Sequence, residues 1–241
     1  MMKIYITKPR YVCYGLVNFL ILLCFQQTCA QTIEHNAWLF WSHQQKISER
    51  WQFSADVQVR SADKLGYINT LLIRPGIGYK IADNKTITIG YTYFGTWDKE
   101  KEPKIYELEN RIFEQFQIEN EIQRTEITNR FRYEQRFLDQ QNSKAFAQRF
   151  RYYVQAQIPL VTNPLFTKGL YLSVQNELFL NVQGKDQVND NFFDQNRSYA
   201  GPGYRFSENL DLEFGYMFRY QIDKEKNIRN NILQIVVKSS F

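Results

Sequence analysis

Apolar and polar residues alternate along most of this chain with a period of two. In "NRFRYEQRF", residues 129–137, the even positions hold Arg130, Arg132, Glu134 and Arg136. The odd positions hold Phe131, Tyr133 and Phe137, with Ile127 in phase and Asn129 and Gln135 as exceptions. Successive side chains of a strand point to opposite faces, so this stretch predicts a strand with one aromatic and one charged side. The same alternation recurs over 51–59, 146–158, 170–182 and 210–222, more weakly over 68–81, 86–97, 107–118 and 193–206, and through the closing "LQIVVKSSF". Most runs have about 10 to 14 residues, longer than the roughly 5–6 of an ordinary globular strand and suited to a tilted crossing of bilayer hydrocarbon.

Turn-forming or charged segments separate the runs: "ADNK" at 82–85, "WDKEKEPK" at 97–104, "DQQNSK" at 139–144, "QGKDQVNDN" at 183–191, "SEN" at 207–209 and "DKEKN" at 223–227. No composition shift divides them, which predicts one all-β domain over 31–241: a transmembrane, antiparallel, up-and-down β-barrel of about 10–12 strands. Ten strands follow Arg50. The stretch 34–42, "EHNAWLFWS", is also extended, and the pattern leaves it as half of a further hairpin, as a rim segment or inside the lumen. If the C-terminus is periplasmic, 62–67, 97–104, 139–144, 183–191 and 223–227 lie outside, and 82–85, 119–124, 159–168 and 207–209 lie inside. Pro75 and Pro202 predict bulges or strand ends, since a closed barrel has no edge to receive them. A soluble periplasmic β-sandwich that binds a ligand is the alternative fold.

Residues 1–30 change the compartment. Lys3, Lys8 and Arg10 precede an apolar run from Tyr11 to Phe25, and Thr28 and Ala30 supply small residues before Gln31. This is the order of a secretory signal peptide cut between Ala30 and Gln31. All three cysteines, Cys13, Cys24 and Cys29, fall within it, so the mature chain offers no thiol for a disulfide, a metal or catalysis. The leader also holds three basic residues and no acidic ones, leaving 27 basic against 25 acidic, a balance of +2. That is too little for a global field aimed at nucleic acid.

Several segments carry a resemblance: "LLIRPGIGYKI" at 71–81, "ENRIFEQF" at 109–116, "NRFRYEQRF" at 129–137 and "RFRYYVQAQIPL" at 149–160. Together with the leader and the early tryptophans they resemble the bacterial domain-of-unknown-function family 2490, common in Bacteroidetes. The resemblance implies an outer-membrane β-barrel and carries over no catalytic residue. Phe241, in phase with the apolar residues before it, resembles the signal read by the barrel-assembly machinery, which with outer-membrane lipids makes the expected partners.

With the aromatics turned to lipid, Glu109, Arg111, Arg130, Arg132, Glu134, Arg136, Arg149 and Arg151 share the interior face. A symmetric turn at 119–124 sets Glu109 opposite Glu134 and Arg111 opposite Arg132; one at 139–144 sets Glu134 opposite Arg149 and Arg132 opposite Arg151. Six arginines against two glutamates either fill the lumen, neutralised by Asp56, Glu177, Asp211 and Glu213, or bind a small anionic ligand or select anions in a narrow pore. A lipid-modifying hydrolase or acyltransferase is the alternative from another class. Its histidines are limited to His35 and His43, and Ser42 beside His43 points to the opposite face. No catalytic residue, metal site or cofactor is expected. Because aromatics and arginines occupy opposite faces, a base-stacking surface is not expected either. Trp51, Tyr79, Trp97, Tyr204 and Tyr220 fit interfacial girdles.

Overall fold

The computed structural model describes residues 31–99, 105–140 and 143–241. The leader and its cleavage point lie outside the described residues. Eleven strands are present among those described: β1 (Gln31–Lys46), β2 (Trp51–Ser61), β3 (Ile68–Ala82), β4 (Lys85–Asp98), β5 (Ile105–Ile122), β6 (Thr125–Gln140), β7 (Ser143–Thr162), β8 (Gly169–Gln183), β9 (Phe193–Ser207), β10 (Leu210–Gln221) and β11 (Asn227–Ser240). Each pairs antiparallel with its sequence neighbours, and β1 closes the sheet against β11. The architecture is therefore an up-and-down β-barrel, not a two-sheet sandwich.

The ten strands expected after Arg50 are β2 to β11. The unassigned 34–42 belongs to none of the three places considered for it: it is the middle of a full wall strand. Its pairing with β11 is parallel, from Gln31 opposite Asn227 to Gln44 opposite Ser240. The seam continues to the last residue, where the Phe241 N–H donates to the Gln44 carbonyl (2.9 Å) and the Lys46 N–H donates to the Phe241 carbonyl (2.7 Å). An odd number of strands closes only with one parallel pair, and closure leaves no row of unpaired backbone groups.

The connections 47–50, 83–84, 123–124, 163–168 and 208–209 share one rim, which we term the short-turn rim; 62–67, 184–192 and 222–226 lie at the opposite, long-loop rim. The wall has the reverse polarity of a globular core. Leu39, Ile73, Ile89, Leu212, Phe214 and Ile235 are exposed on its outer surface, whereas Glu109, Arg111, Glu134, Arg149 and Glu213 are buried inside. Outward polar exceptions concentrate midway along β5 to β7, where Gln135 donates to Glu114 (3.2 Å) and Tyr133 to Gln148 (2.5 Å). Ring pairs mark both rims: Trp51 with Tyr79 (4.9 Å) and Tyr204 with Phe206 (4.9 Å) at the short turns, Trp97 with Tyr106 (5.4 Å) and Phe193 with Tyr220 (6.2 Å) at the other end.

Pro75 and Pro202 correct the expectation of bulges. Both lie well inside β3 and β9, and the register is unshifted beside them. Each instead interrupts the ladder on one side only. The pairs of Arg74 and Pro75 with β4, and of Gly201 and Pro202 with β10, are missing, while the other neighbour stays in register. The missing N–H thus costs a local gap and not a bend. Glycines make room for rings inside the lumen: a Cβ on Gly90 would come within 2.3 Å of the Phe113 ring, and one on Gly203 within 2.4 Å of Tyr171.

Candidate functional site

The interior is built from even positions of β6 and odd positions of β5 and β7, and pairing brings their charges together in the upper and middle lumen. Glu134 is wholly buried. It accepts hydrogen bonds from Arg149 (Nη2, 2.7 Å; Nε, 3.0 Å) and Arg151 (Nη1, 2.5 Å), with Arg111 Nη1 at 3.9 Å. Glu109 takes Arg111 and Arg136, each with Nε at 2.6 Å. Glu177 takes Arg130 (2.8 Å) and Arg151 (2.6 Å). Each carboxylate therefore bridges at least two guanidiniums, the arrangement in which mutual attraction offsets removal from water.

Two registers were expected here. Glu134 does lie opposite Arg149 and Arg132 opposite Arg151. The β5–β6 register is displaced by four residues: Arg111 faces Arg136, and Glu134 faces Phe113. The strands run on through Ile122 and from Thr125, so the turn shrinks to Gln123 and Arg124, with Gln123 at φ 59°. Of the four acids expected to neutralise the arginines, only Glu177 serves them. Asp56 holds Arg74 (2.7 Å), Asp211 holds Arg205 (3.0 Å) and Glu213 holds Lys238 (2.6 Å). The further partner is Asp194, 2.7 Å from Arg149 Nη1. Arg132 has no carboxylate among the described residues; its Nε and Nη2 donate to Gln115 Oε1 (3.0 and 2.6 Å) and its guanidinium lies 4.3 Å from the Phe113 ring centre.

The separation of aromatics from arginines holds for Phe131 and Phe137 but not for the lumen as a whole. Trp38, Phe94, Phe113 and Phe179 stand inside, and arginines stack on them: Arg151 lies 4.5 Å from Phe179 and Arg111 4.6 Å from Phe94. Parity alone would have found Phe94, Phe113 and Phe179, which occupy the polar phase of their runs.

Two cavities flank the ion-pair network. One of about 320 Å³ opens toward the short turns beside Ser42, Gln115, Arg132, Gln157 and Lys238. The other, about 180 Å³, lies toward the long loops and is lined by eight arginines, namely Arg60, Arg74, Arg111, Arg136, Arg149, Arg151, Arg197 and Arg219. Five carboxylates, Asp56, Glu109, Glu134, Glu177 and Asp194, pair with five of the eight. Arg60, Arg197 and Arg219 form no ion pair among the described residues, although Glu177 lies toward Arg197 and Glu34 and Asp194 toward Arg219. All three approach one ring, with guanidinium carbons 3.9, 5.1 and 5.6 Å from the centre of Trp38. A cation–π contact contributes about 0.5–2 kcal/mol, less than the several kcal/mol by which burial disfavours an ion. The aromatic cage therefore orients these charges without offsetting them.

Of the two histidines, His43 lines the larger cavity and His35 lines neither. The backbone N–H of His35, not its ring, donates to Asp63 Oδ1 (2.7 Å), which anchors the 62–67 loop. Ser42 and His43 point to opposite faces, and His43 Nδ1 instead meets Ser239 Oγ of β11 at 2.9 Å, where the Trp41 indole also donates (3.2 Å). No carboxylate among the described residues hydrogen-bonds to His43. No group of three or more His, Cys, Asp or Glu among the described residues has the spacing to hold a metal ion.

Residues 35–230 match the family model described as "Protein of unknown function (DUF2490)". No curated protein and no solved structure matches the chain.

Proposed function

The chain belongs to the DUF2490 family, and from that premise we propose that it is an outer-membrane β-barrel that holds a small ligand in its lumen rather than conducting through it. The observation that carries this reading is the inverted polarity of the wall: large apolar side chains outward on every side of a closed sheet, charged side chains inward. Aromatic pairs at both rims support it. A ligand-holding lumen is favoured over an open pore because Glu134, with no exposed surface, ties β6 to β7 at mid-height, Phe113 stands opposite it, and Phe179 packs against its partners Arg149 and Arg151. In this reading the short-turn rim is periplasmic, the long loops face outward, and Phe241 is presented to the assembly machinery.

Membrane fractionation tests the location, with a gel run with and without boiling to report the folded barrel. The protein is expected with outer membranes and to migrate faster unboiled; recovery as a detergent-free periplasmic protein overturns the reading. Planar-bilayer recording tests the closed lumen, and discrete anion-selective steps would replace it with a pore. The lipid-hydrolase alternative rests on the His43–Ser239 contact. Fatty-acid release from phospholipid that disappears in Ser239→Ala would favour it.

A further inference from the structure

The three arginines around Trp38 differ from the five carboxylate-paired arginines of the same cavity in the kind of partner that holds them. Arg60 directs Nε and Nη2 at Gln58 Oε1 (3.2 and 2.5 Å), Arg197 directs the same pair at Gln195 Oε1 (3.3 and 3.2 Å), and Arg219 directs Nε at Asn230 Oδ1 (2.8 Å). All three acceptors are neutral amides. An amide fixes the plane of a guanidinium and leaves its charge in place, whereas the carboxylates of the neighbouring network cancel theirs. Nη1 of Arg60 and of Arg197 and both Nη atoms of Arg219 have no hydrogen-bond partner among the described residues, and the cavity of about 180 Å³ that these residues line lies in front of them.

We infer that this cavity is a binding site for a small oxyanion carrying two or more negative charges, of the phosphate, pyrophosphate or polycarboxylate class. The inference rests on the ligand-holding reading of the lumen and names its ligand. Three fixed guanidinium forks match the paired oxygens of such an anion better than a halide, which accepts without direction. The volume is far above the roughly 10–15 Å³ that one water requires. Asp194 and Glu109 also line the cavity, but each is already occupied by an arginine of the network. The loop 184–192 is tied to the cavity wall through Asn189, which is buried and donates to Asp194 Oδ1 (3.3 Å) and to the Ile222 carbonyl (3.2 Å).

Calorimetric titration of the full, detergent-solubilised barrel with inorganic pyrophosphate, in about 0.15 M chloride, tests the site. Saturable binding is expected, weakened at least about tenfold in Arg60→Gln, Arg197→Gln and Arg219→Gln. Arg130→Gln, whose parent pairs with Glu177, is expected to bind like the unaltered protein. Phosphatidic acid, whose monoester phosphate carries up to about two negative charges, is titrated in the same detergent in parallel. The response that the three variants abolish identifies the source of the oxyanion as free solute or lipid headgroup. Absence of both responses in the folded, unaltered protein overturns the inference whatever the variants do, and so do variants that are folded by the gel criterion and keep full affinity. A soluble location would overturn the membrane reading and leave this titration intact, so the two failures are distinguishable.

Discussion

Glu134→Gln removes one charge from the most enclosed carboxylate of the lumen while keeping its shape, and the structure fixes what is lost. Two guanidiniums donate to this group and a third stands 3.9 Å away. Breaking a buried pair costs about 3–5 kcal/mol because the surviving charge stays in place without its partner. Here Arg149 keeps Asp194 (2.7 Å) and Arg151 keeps Glu177 (2.6 Å), and the amide oxygen still accepts one bond. The lower end, about 3 kcal/mol, is therefore expected. With a urea dependence of about 1–3 kcal/mol/M, the unfolding midpoint falls by about 1–3 M. Tryptophan emission reads the transition directly, because Trp38, Trp41, Trp51 and Trp97 all sit in wall strands. Glu107→Gln, at an exposed site on β5, is the control and is expected to move stability by less than about 0.5 kcal/mol. A Glu134→Gln midpoint no lower than the control's would refute the view that this carboxylate holds the interior together.

Three further outcomes are expected. Glu114→Leu, midway along the outer surface of β5, is expected to raise stability in lipid vesicles by about 1 kcal/mol, since an outward charge is disfavoured there; unchanged or lowered stability in vesicles would count against a lipid-facing wall. Gly203→Ala places a Cβ 2.4 Å from the Tyr171 ring and is expected to destabilise by about 1–3 kcal/mol, measured by the same urea titration. Tyr171→Leu in the same chain is expected to recover part of that loss, and simple additivity would show that the ring is not the obstacle. Tags appended before Gln31 and after Phe241 are expected to be cut by added protease on opposite faces of the outer membrane, and cutting of both from one side would contradict the parallel seam.

The alternation that placed ten strands was legible because a strand's side chains repeat every two residues and this wall separates lipid-facing from interior positions sharply. The same parity placed the eight charged residues of β5 to β7 on one face. β1 was not assignable because one partner, β11, is 196 residues away and the connection to the other, β2, is Ile47, Ser48, Glu49 and Arg50, without the glycine, asparagine, aspartate or proline that marks a turn. Its faces are also blurred, with Trp38 inside and Leu39 and Trp41 outside. The four-residue error between β5 and β6 came from a turn, Gln123–Arg124, that lacks the glycine, asparagine or aspartate by which tight turns are usually read. Asp194 escaped as Arg149's partner because a register shift between Phe179 and Leu180 turns both Asp194 and Gln195 inward. The cage of Arg60, Arg197 and Arg219 draws on β2, β9 and β10 around a ring from β1, a meeting that only closure of the sheet creates.

The parallel seam also governs how this chain can be made and rearranged. Barrels that grow by duplicating hairpins gain strands in twos and keep both ends at one rim, where a short peptide can splice them. Here β1 and β11 run the same way over 14 paired residues, about 45 Å at a strand's rise of roughly 3.3 Å per residue. The two ends are therefore held at opposite poles of a lumen already filled with side chains. No circularly permuted form with a short linker is reachable, and the seam itself cannot zip until the final strand has been synthesised. Until β11 joins the sheet, β1 is a strand with one neighbour and an open flank.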